Sequence, residues 1–241
     1  RFIQRCIQAF FINHTVYTID LLGCGNSDKP NLTYTNYLYV QLILDFIKDV
    51  IGEKTDIVSS GASSGILLMA CSVQNDWIDK AVLVNPENLL ISSKTPDKFA
   101  ELYRTVICTP IIGTFLYNIM VNKKTIEKDF RLDYYYDQNK ITEKDIMYFY
   151  EASQKQHTKG KYLYANINSC FTNTNIIHGL RNITQPIYIF TGKENPENIL
   201  AANQYQNYLP DTHIIELEKT KRFPHMERPE DFTENLESLY L

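Results

Sequence analysis

The residues best suited to chemistry lie in the short segment G-A-S-S-G, residues 61 to 65, which fits the pattern G-x-S-x-G. A serine becomes a nucleophile where a sharp strand-to-helix turn exposes its hydroxyl and backbone N–H groups stabilise the oxyanion. Here "TDIVSS" favours a strand before the pattern, and "ILLMACSVQN" favours a helix after it. The segment predicts Ser63 as the nucleophile and the Ser64 N–H as an oxyanion donor. A Gly- and Ser-rich turn without chemistry is the alternative.

The elements that must position this turn alternate along the chain. Besides "TDIVSS", strand-like runs occur at "TVYTIDLL" (15 to 22), "DKAVLVNP" (79 to 86), "QPIYIFTG" (185 to 192) and "THIIELE", with helical patterns between them. The first helical pattern covers residues 1 to 14. Strands that alternate with helices predict an α/β fold with a mostly parallel sheet.

The alternation stops between residues 88 and 180, where the pattern is helical and rich in tyrosine. We therefore expect one α/β core built from residues 1 to 87 and 181 to 241, with residues 88 to 180 inserted as a helical cap. The cap tyrosines suit a pocket for a mostly apolar ligand, although packing against the sheet would also require them.

Two further motifs accompany the serine pattern. A loop of the form D-x-x-G-x-G-x-S-D-K-P follows the first strand, and "PHMERPEDF" (224 to 232) has the form P-H-x-E-x-P-E. With these motifs the chain resembles the α/β-hydrolase superfamily over its whole length. The loop residues that match are Asp20, Gly23, Gly25, Ser27, Asp28, Lys29 and Pro30.

The resemblance also implies a position for the catalytic base. At that position this sequence differs from the family pattern. In the family the histidine usually precedes the proline of P-H-x-E by two residues, and that position here is Arg222. An arginine stays protonated and cannot accept the serine proton. His225 is the remaining candidate base, and a structural role at the start of the last helix is its alternative.

The sequence also differs from the family pattern at the position of the catalytic acid. The usual aspartate position after "PIYIFTG" holds Asn195, with Glu194 beside it. Some relatives draw the acid from the end of the preceding core strand, where Glu87 stands. We expect Glu87 to be the acid of a working triad, and a solvated loop carboxylate is the alternative.

By the same resemblance, "VYTIDLL" corresponds to the fourth strand of the family. The first three strands and the His-Gly oxyanion loop are then absent from residues 1 to 241. The third strand normally lies between the fourth and fifth, so its loss would leave buried backbone groups unpaired. We hypothesise that a longer chain or a partner segment completes the sheet.

Two functions fit these residues. The first is a serine-dependent hydrolase, similar to an esterase, acting on a small ester or acyl substrate. The second is a catalytically silent protein of this fold that binds a small hydrophobic molecule or a protein partner. Family members that attack with aspartate, such as haloalkane dehalogenases and epoxide hydrolases, are excluded because the elbow carries serine.

Composition limits the classes of partner, cofactor and cellular location that we expect. The 241 residues have a formal net charge of −4 with scattered Lys and Arg, so nucleic acid is not expected as a partner. Five cysteines without C-x-x-C spacing, and histidines far apart, predict neither a metal site nor a cofactor. The start lacks a signal-peptide pattern, which favours the cytoplasm. The uncharged run from 105 to 122 predicts a buried or lid helix and not a membrane span; the oligomeric state stays open.

Overall fold

The computed structural model describes residues 14–74 and 76–240, in which a parallel sheet forms the centre. Its strands pair in the order β1-β2-β3-β4, and every pair is parallel. This confirms the predicted α/β class with a mostly parallel sheet. The strands are β1 (Thr55–Ser60), β2 (Ile78–Val84), β3 (Ile187–Gly192) and β4 (His213–Leu217).

Helices connect and flank these strands. Between β2 and β3 the described chain is helical and irregular, without a strand. We call residues 89 to 182 the helical segment. In chain order the helices are α1 (Asn36–Phe46), α2 (Ser63–Val73), α3 (Leu89–Ser92), α4 (Lys98–Cys108), α5 (Ile112–Met120), α6 (Lys123–Asp129), α7 (Glu143–Thr158), α8 (Gly160–Asn168), α9 (Pro196–Tyr208), α10 (Pro224–Glu227) and α11 (Pro229–Glu237).

Helix α1 shows how local sequence sets an element's ends. The Thr35 hydroxyl accepts a hydrogen bond from the Leu38 N–H at 3.3 Å and so caps a free donor of the first turn. The helix continues as a π-helical turn, Ile47–Ile51, and stops at Gly52, whose φ of 76° ends helical geometry. The predicted helix ending at Gly52 is confirmed.

The central strands β2 and β3 are largely buried on both faces, as the apolar strand "IDKAVLV" requires. Alternate side chains of β2 point to opposite faces, so Leu83 joins the larger core with α1, α2 and Tyr205, while Val82 joins a smaller one. In the smaller core Phe190 packs against Phe232 of α11 at 4.8 Å between ring centroids. Trp77, partly buried, packs against the larger core at the amino end of β2, and its carbonyl accepts the Thr55 N–H at 3.1 Å.

The predicted strand over residues 15 to 22 is wrong. Residues 14 to 20 form no strand, and Tyr17 and Ile19 are exposed. A β-type sequence needs a neighbouring strand for its backbone hydrogen bonds, and no described strand lies beside it. Strand β1 accordingly stands at an edge of the described sheet. The helix predicted for residues 1 to 14 lies outside the described residues except for its last position.

The uncharged run from 105 to 122 divides between α4 and α5, which meet at an angle of 101°. Part of this run is exposed, which does not fit a single buried helix, one of the two expectations; the lid helix, the other expectation, stays a prediction. Among the described residues no single helix is long and apolar enough to cross a membrane, and α4 with α5 meets that criterion only as this bent pair.

Candidate functional site

The turn between β1 and α2 has its apex at Gly61. Strand β1 ends at Ser60, Gly61 has a φ of +61°, and Ala62 already has helical angles before α2 begins at Ser63. A positive φ favours glycine because it carries no Cβ. The Gly61 N–H donates to the Val84 carbonyl at 2.9 Å and fixes the turn to β2. The sharp reversal therefore lies two residues before Ser63.

Ser63 and Ser64 are hydrogen-bonded within this turn. The Ser63 hydroxyl donates to the Ser60 carbonyl at 2.8 Å and accepts from the Ser60 N–H at 3.2 Å. The Ser64 N–H, the predicted oxyanion donor, donates to the Gly61 carbonyl at 3.1 Å. The Ser64 side chain is fully buried. Both groups thus stabilise the start of α2.

The apex itself is open. A Cβ placed on Gly61 would meet no atom within 4 Å. In a nucleophile elbow the reactive side chain projects from the strained residue of the turn. Here that position has room for a side chain and carries none.

His225 lies in α10 among aromatic rings. Its imidazole packs edge-on against Phe223 and Phe232, with centroids 5.9 and 5.8 Å away, and its Nδ1 has no contact with solvent. Burial lowers the pKa of His225 to about 4. The ring is neutral at pH 7, but an imidazole with this pKa is a weak base. The hydrogen bonds of Ser63 go to Ser60 and do not reach it.

Glu87 follows β2 and is half-buried. Burial raises the pKa of its carboxyl, and the positive charge of Arg222 opposes that rise. Its main-chain carbonyl accepts the Tyr205 hydroxyl at 3.0 Å, which fixes the loop. The structure therefore brings Glu87 near Arg222 and does not join it by a hydrogen bond to His225 or Ser63.

The alternative acid positions serve the loops after β3 and β4. The Asn195 side chain caps α9 by accepting the Glu197 N–H at 3.0 Å. The exposed Glu194 carboxylate accepts the Lys219 N–H at 3.1 Å. Each side chain thus has a local structural partner.

Arg222 occupies the position where the resemblance places the base. It is exposed, its N–H donates to the Tyr134 carbonyl at 3.1 Å, and its guanidinium lies 5.4 Å from the centroid of the Tyr134 ring. It forms no ion pair with a described residue. A permanent positive charge therefore faces solvent at the carboxyl end of the sheet, beside the helical segment.

Asn85 is a site residue that the sequence analysis missed. It is buried with a φ of 44°, and its amide nitrogen donates to the carbonyls of Lys221 and Arg222 at 2.8 and 2.9 Å. Its amide oxygen accepts the Gly192 N–H at 2.9 Å. One side chain thus joins the ends of β2 and β3 to the loop that carries Arg222. The N-P dipeptide after a buried strand was the only sequence signal, and it indicates a turn alone.

Glu227 is the second missed residue. Its buried carboxylate accepts the N–H of Tyr136 at 2.6 Å and of Lys221 at 2.7 Å. Burial raises its pKa, and these two hydrogen bonds oppose the rise. The contact joins the helical segment to the loop after β4. The described residues contain no group of three His, Cys, Asp or Glu side chains that could hold a metal ion.

Comparison with known proteins agrees with this architecture. The model of the alpha/beta hydrolase family matches residues 3–235. No curated protein matches significantly.

Solved structures with a similar fold include an esterase from Exiguobacterium antarcticum (15% identity, TM-score 0.76, covering 99% of this chain and 86% of that one). They also include the meta-cleavage product hydrolase CumD from Pseudomonas fluorescens, with 15% identity and a TM-score of 0.75, covering 99% of this chain and 84% of that one. A third is MenH from S. aureus, with 14% identity and a TM-score of 0.75, covering 99% of this chain and 87% of that one. At these identities the likeness shows a shared fold. Since the family model spans most of the sequence, the chain belongs to the α/β-hydrolase family.

Proposed function

We propose that this chain is a hydrolase-fold protein without serine-hydrolase activity, whose site at the carboxyl end of the sheet binds a small molecule. The observation that carries the proposal is Gly61 at the apex of the elbow, with a φ of +61° and open space where a nucleophile would project. The family's base and acid positions, held here by Arg222 and Asn195, support it.

A mechanism through Ser63 is the competing hypothesis. Its hydroxyl would have to leave both hydrogen bonds with Ser60 and find a base. The candidate base, His225, has a pKa of about 4 and lies among phenylalanines. Removing the nucleophile or base of a serine triad costs roughly a millionfold in turnover. The arrangement therefore supports binding better than hydrolysis.

Arg222 indicates the class of ligand. It is exposed, free of ion pairs with described residues, and stacked on Tyr134 of the helical segment. A guanidinium in this state binds carboxylates well because its donors match the two carboxylate oxygens. We propose a small organic acid as the ligand, with its apolar part under the cap formed by residues 88 to 180.

Labelling with a fluorophosphonate probe tests the absence of catalysis. We expect the wild-type chain and Ser63→Ala to show the same background. Labelling of the wild type that Ser63→Ala abolishes would refute the proposal and support the serine hydrolase.

A gain-of-function pair tests the assignment of the apex. Gly61→Ser combined with Asn195→Asp and Arg222→His should acquire labelling. The matched triple with Gly61→Ala should not. Equal labelling of the two triples would contradict Gly61 as the nucleophile position.

The ligand class is tested by thermal unfolding with acetate, benzoate and the matching amides. The acids should raise the midpoint of the wild type and not of Arg222→Gln. Equal shifts with acids and amides would exclude an anion at Arg222.

A further inference from the structure

Glu87 and Arg222 carry opposite charges at the carboxyl end of the sheet and do not pair. Glu87 follows β2 and is half-buried, and Arg222 lies on the loop after β4 and is exposed. Their side chains form no hydrogen bond or ion pair, either with each other or with another residue of 14–74 and 76–240. A half-buried carboxylate without a partner is costly, so a cationic group from outside the chain would stabilise it.

Main-chain contacts hold the two residues close together. The Asn85 amide joins the end of β2 to the Arg222 carbonyl at 2.9 Å, two residues before Glu87. The Glu87 carbonyl accepts the Tyr205 hydroxyl at 3.0 Å. The Arg222 N–H donates to the Tyr134 carbonyl at 3.1 Å. Both loops are therefore fixed without the use of either charged group.

A second carboxylate lies near Arg222, in the helical segment. Asp129 is the last residue of α6, is partly buried, and forms no hydrogen bond or ion pair through its side chain with a described residue. Burial and then the charge of Asp133 raise the pKa of Asp129, whereas the charges of Lys128 and Arg222 lower it. Two carboxylates thus lie near one guanidinium, and the site has no excess of positive charge.

A ligand that carries both charges fits this arrangement better than a simple carboxylate, which would bring a third anion to one guanidinium. The next cation along the loop, Lys221, donates its ammonium to the Leu132 carbonyl at 2.9 Å and acts on Glu227. An α-amino acid has its carboxylate and its ammonium on one carbon, so it adds no net charge. A guanidinium binds a carboxylate through two parallel hydrogen bonds, and an ammonium offers three donors to a carboxylate.

Aromatic rings beside the two charges suit an apolar side chain on such a ligand. The Arg222 guanidinium lies 5.4 Å from the centroid of the Tyr134 ring. Phe223 packs edge-on against Tyr134, with the ring centroids 5.0 Å apart. The ring of Phe149 in α7 lies 6.4 Å from that of Phe223. An aromatic amino acid is therefore a suitable probe of the site.

We propose that the ligand of this site is an α-amino acid, whose carboxylate binds Arg222 and whose ammonium binds Glu87. Glu87 thereby narrows the ligand class of the proposed function, on which this assignment rests. Its loop is fixed by Tyr205, whereas Asp129 already has Lys128 beside it. Glu87 is therefore the residue that determines specificity for the ammonium.

Calorimetric titration of the full chain with three ligands of one carbon skeleton tests the proposal. The ligands are L-phenylalanine, 3-phenylpropanoate, which lacks the ammonium, and 2-phenylethylamine, which lacks the carboxylate. L-Phenylalanine should have a dissociation constant at least about tenfold lower than either, because each missing group removes a charge-assisted hydrogen bond. The comparison uses the wild type alone and does not depend on the folding of a variant.

Substitutions assign the two charges of the ligand to their partners. Glu87→Gln keeps the size of the side chain and removes its charge, so it should raise the dissociation constant of L-phenylalanine about tenfold and leave that of 3-phenylpropanoate unchanged. Arg222→Gln should weaken the binding of both. Glu194→Gln removes an exposed carboxylate from the loop after β3 and should leave both affinities unchanged. Thermal unfolding checks that each variant is folded.

Four results would overturn the proposal. Equal affinity for L-phenylalanine and 3-phenylpropanoate, with both lost in Arg222→Gln, would exclude the ammonium site and retain a small organic acid as the ligand. Equal affinity for L-phenylalanine and 2-phenylethylamine would exclude Arg222 as the partner of the carboxylate. Weaker binding of L-phenylalanine by Asp129→Asn and not by Glu87→Gln would assign the ammonium to the helical segment. Binding of none of the three ligands would contradict the proposed function as well.

Discussion

Replacing His225 with phenylalanine should remove a pH-dependent part of the stability. The imidazole has a pKa of about 4 in the folded chain because burial disfavours its charged form, compared with 6.5 for a free side chain. A depressed histidine pKa means that the unfolded state binds the proton first as the pH falls. The contribution of the neutral ring to the free energy of unfolding is therefore complete above about pH 6.5. It declines between about pH 6.5 and 4 and is lost at lower pH.

The lowered pKa of His225 sets the size of the expected change in unfolding free energy. The interval between the two pKa values corresponds to up to about 3 kcal/mol, at about 1.4 kcal/mol for each pH unit. Urea denaturation of the wild type and His225→Phe at several pH values between about 4 and 7.5 measures the difference in unfolding free energy. Relative to the wild type, the variant should gain roughly that amount as the pH falls.

The difference between the two proteins isolates the histidine. Glu87 and Glu227 have raised pKa values and oppose its effect, but both are present in each protein and cancel in the difference. His213→Gln, at an exposed strand position, controls for the loss of an imidazole elsewhere. A constant difference between wild type and His225→Phe across this pH range would refute the burial of His225. It would also remove one argument against His225 as a base.

Three further substitutions test the contacts around the site. Asn85→Ala removes the acceptor of the Gly192 N–H and the donor to the Arg222 carbonyl, whereas the Lys221 carbonyl keeps the Asn198 amide as a donor. The substitution should lower the unfolding free energy by about 2 to 4 kcal/mol, and an effect below about 1 kcal/mol would contradict this network. Glu227→Gln can accept only one of its two backbone N–H groups well and should cost roughly 1 to 3 kcal/mol by urea denaturation, with Glu230→Gln, an exposed neighbour, as the neutral control. Gly61→Ala meets no steric contact but must adopt a positive φ, so it should cost about 1 to 2 kcal/mol, whereas a neutral result would place the apex elsewhere.

Much of the fold was predictable because periodicity and caps are local. The helix ending at Gly52 and the buried strand "IDKAVLV" followed from spacing and composition alone. The strand expected over residues 15 to 22 failed because a strand depends on its neighbour, and no described strand provides the hydrogen-bond ladder.

The site was less predictable, for a different physical reason. In "SSGASSG" the small residues fit the elbow in two registers, and the pattern G-x-S-x-G selects Ser63. The backbone places the positive φ at Gly61, where a residue without Cβ costs least. Asn85 contacts Lys221, 136 positions away, and one of the two partners of Glu227, Tyr136, lies 91 positions away, so no local pattern could identify these partners.

The position of Trp77 allows unfolding to be followed by intrinsic fluorescence. It is the one tryptophan of the sequence and packs at the amino ends of the strands, whereas Gly61, Asn85 and Arg222 lie at the carboxyl ends. Its fluorescence should therefore follow unfolding of the larger core with a single emitter and little interference from the site. A change in its emission on addition of a small acid would mean that binding at Arg222 is transmitted along the length of the sheet.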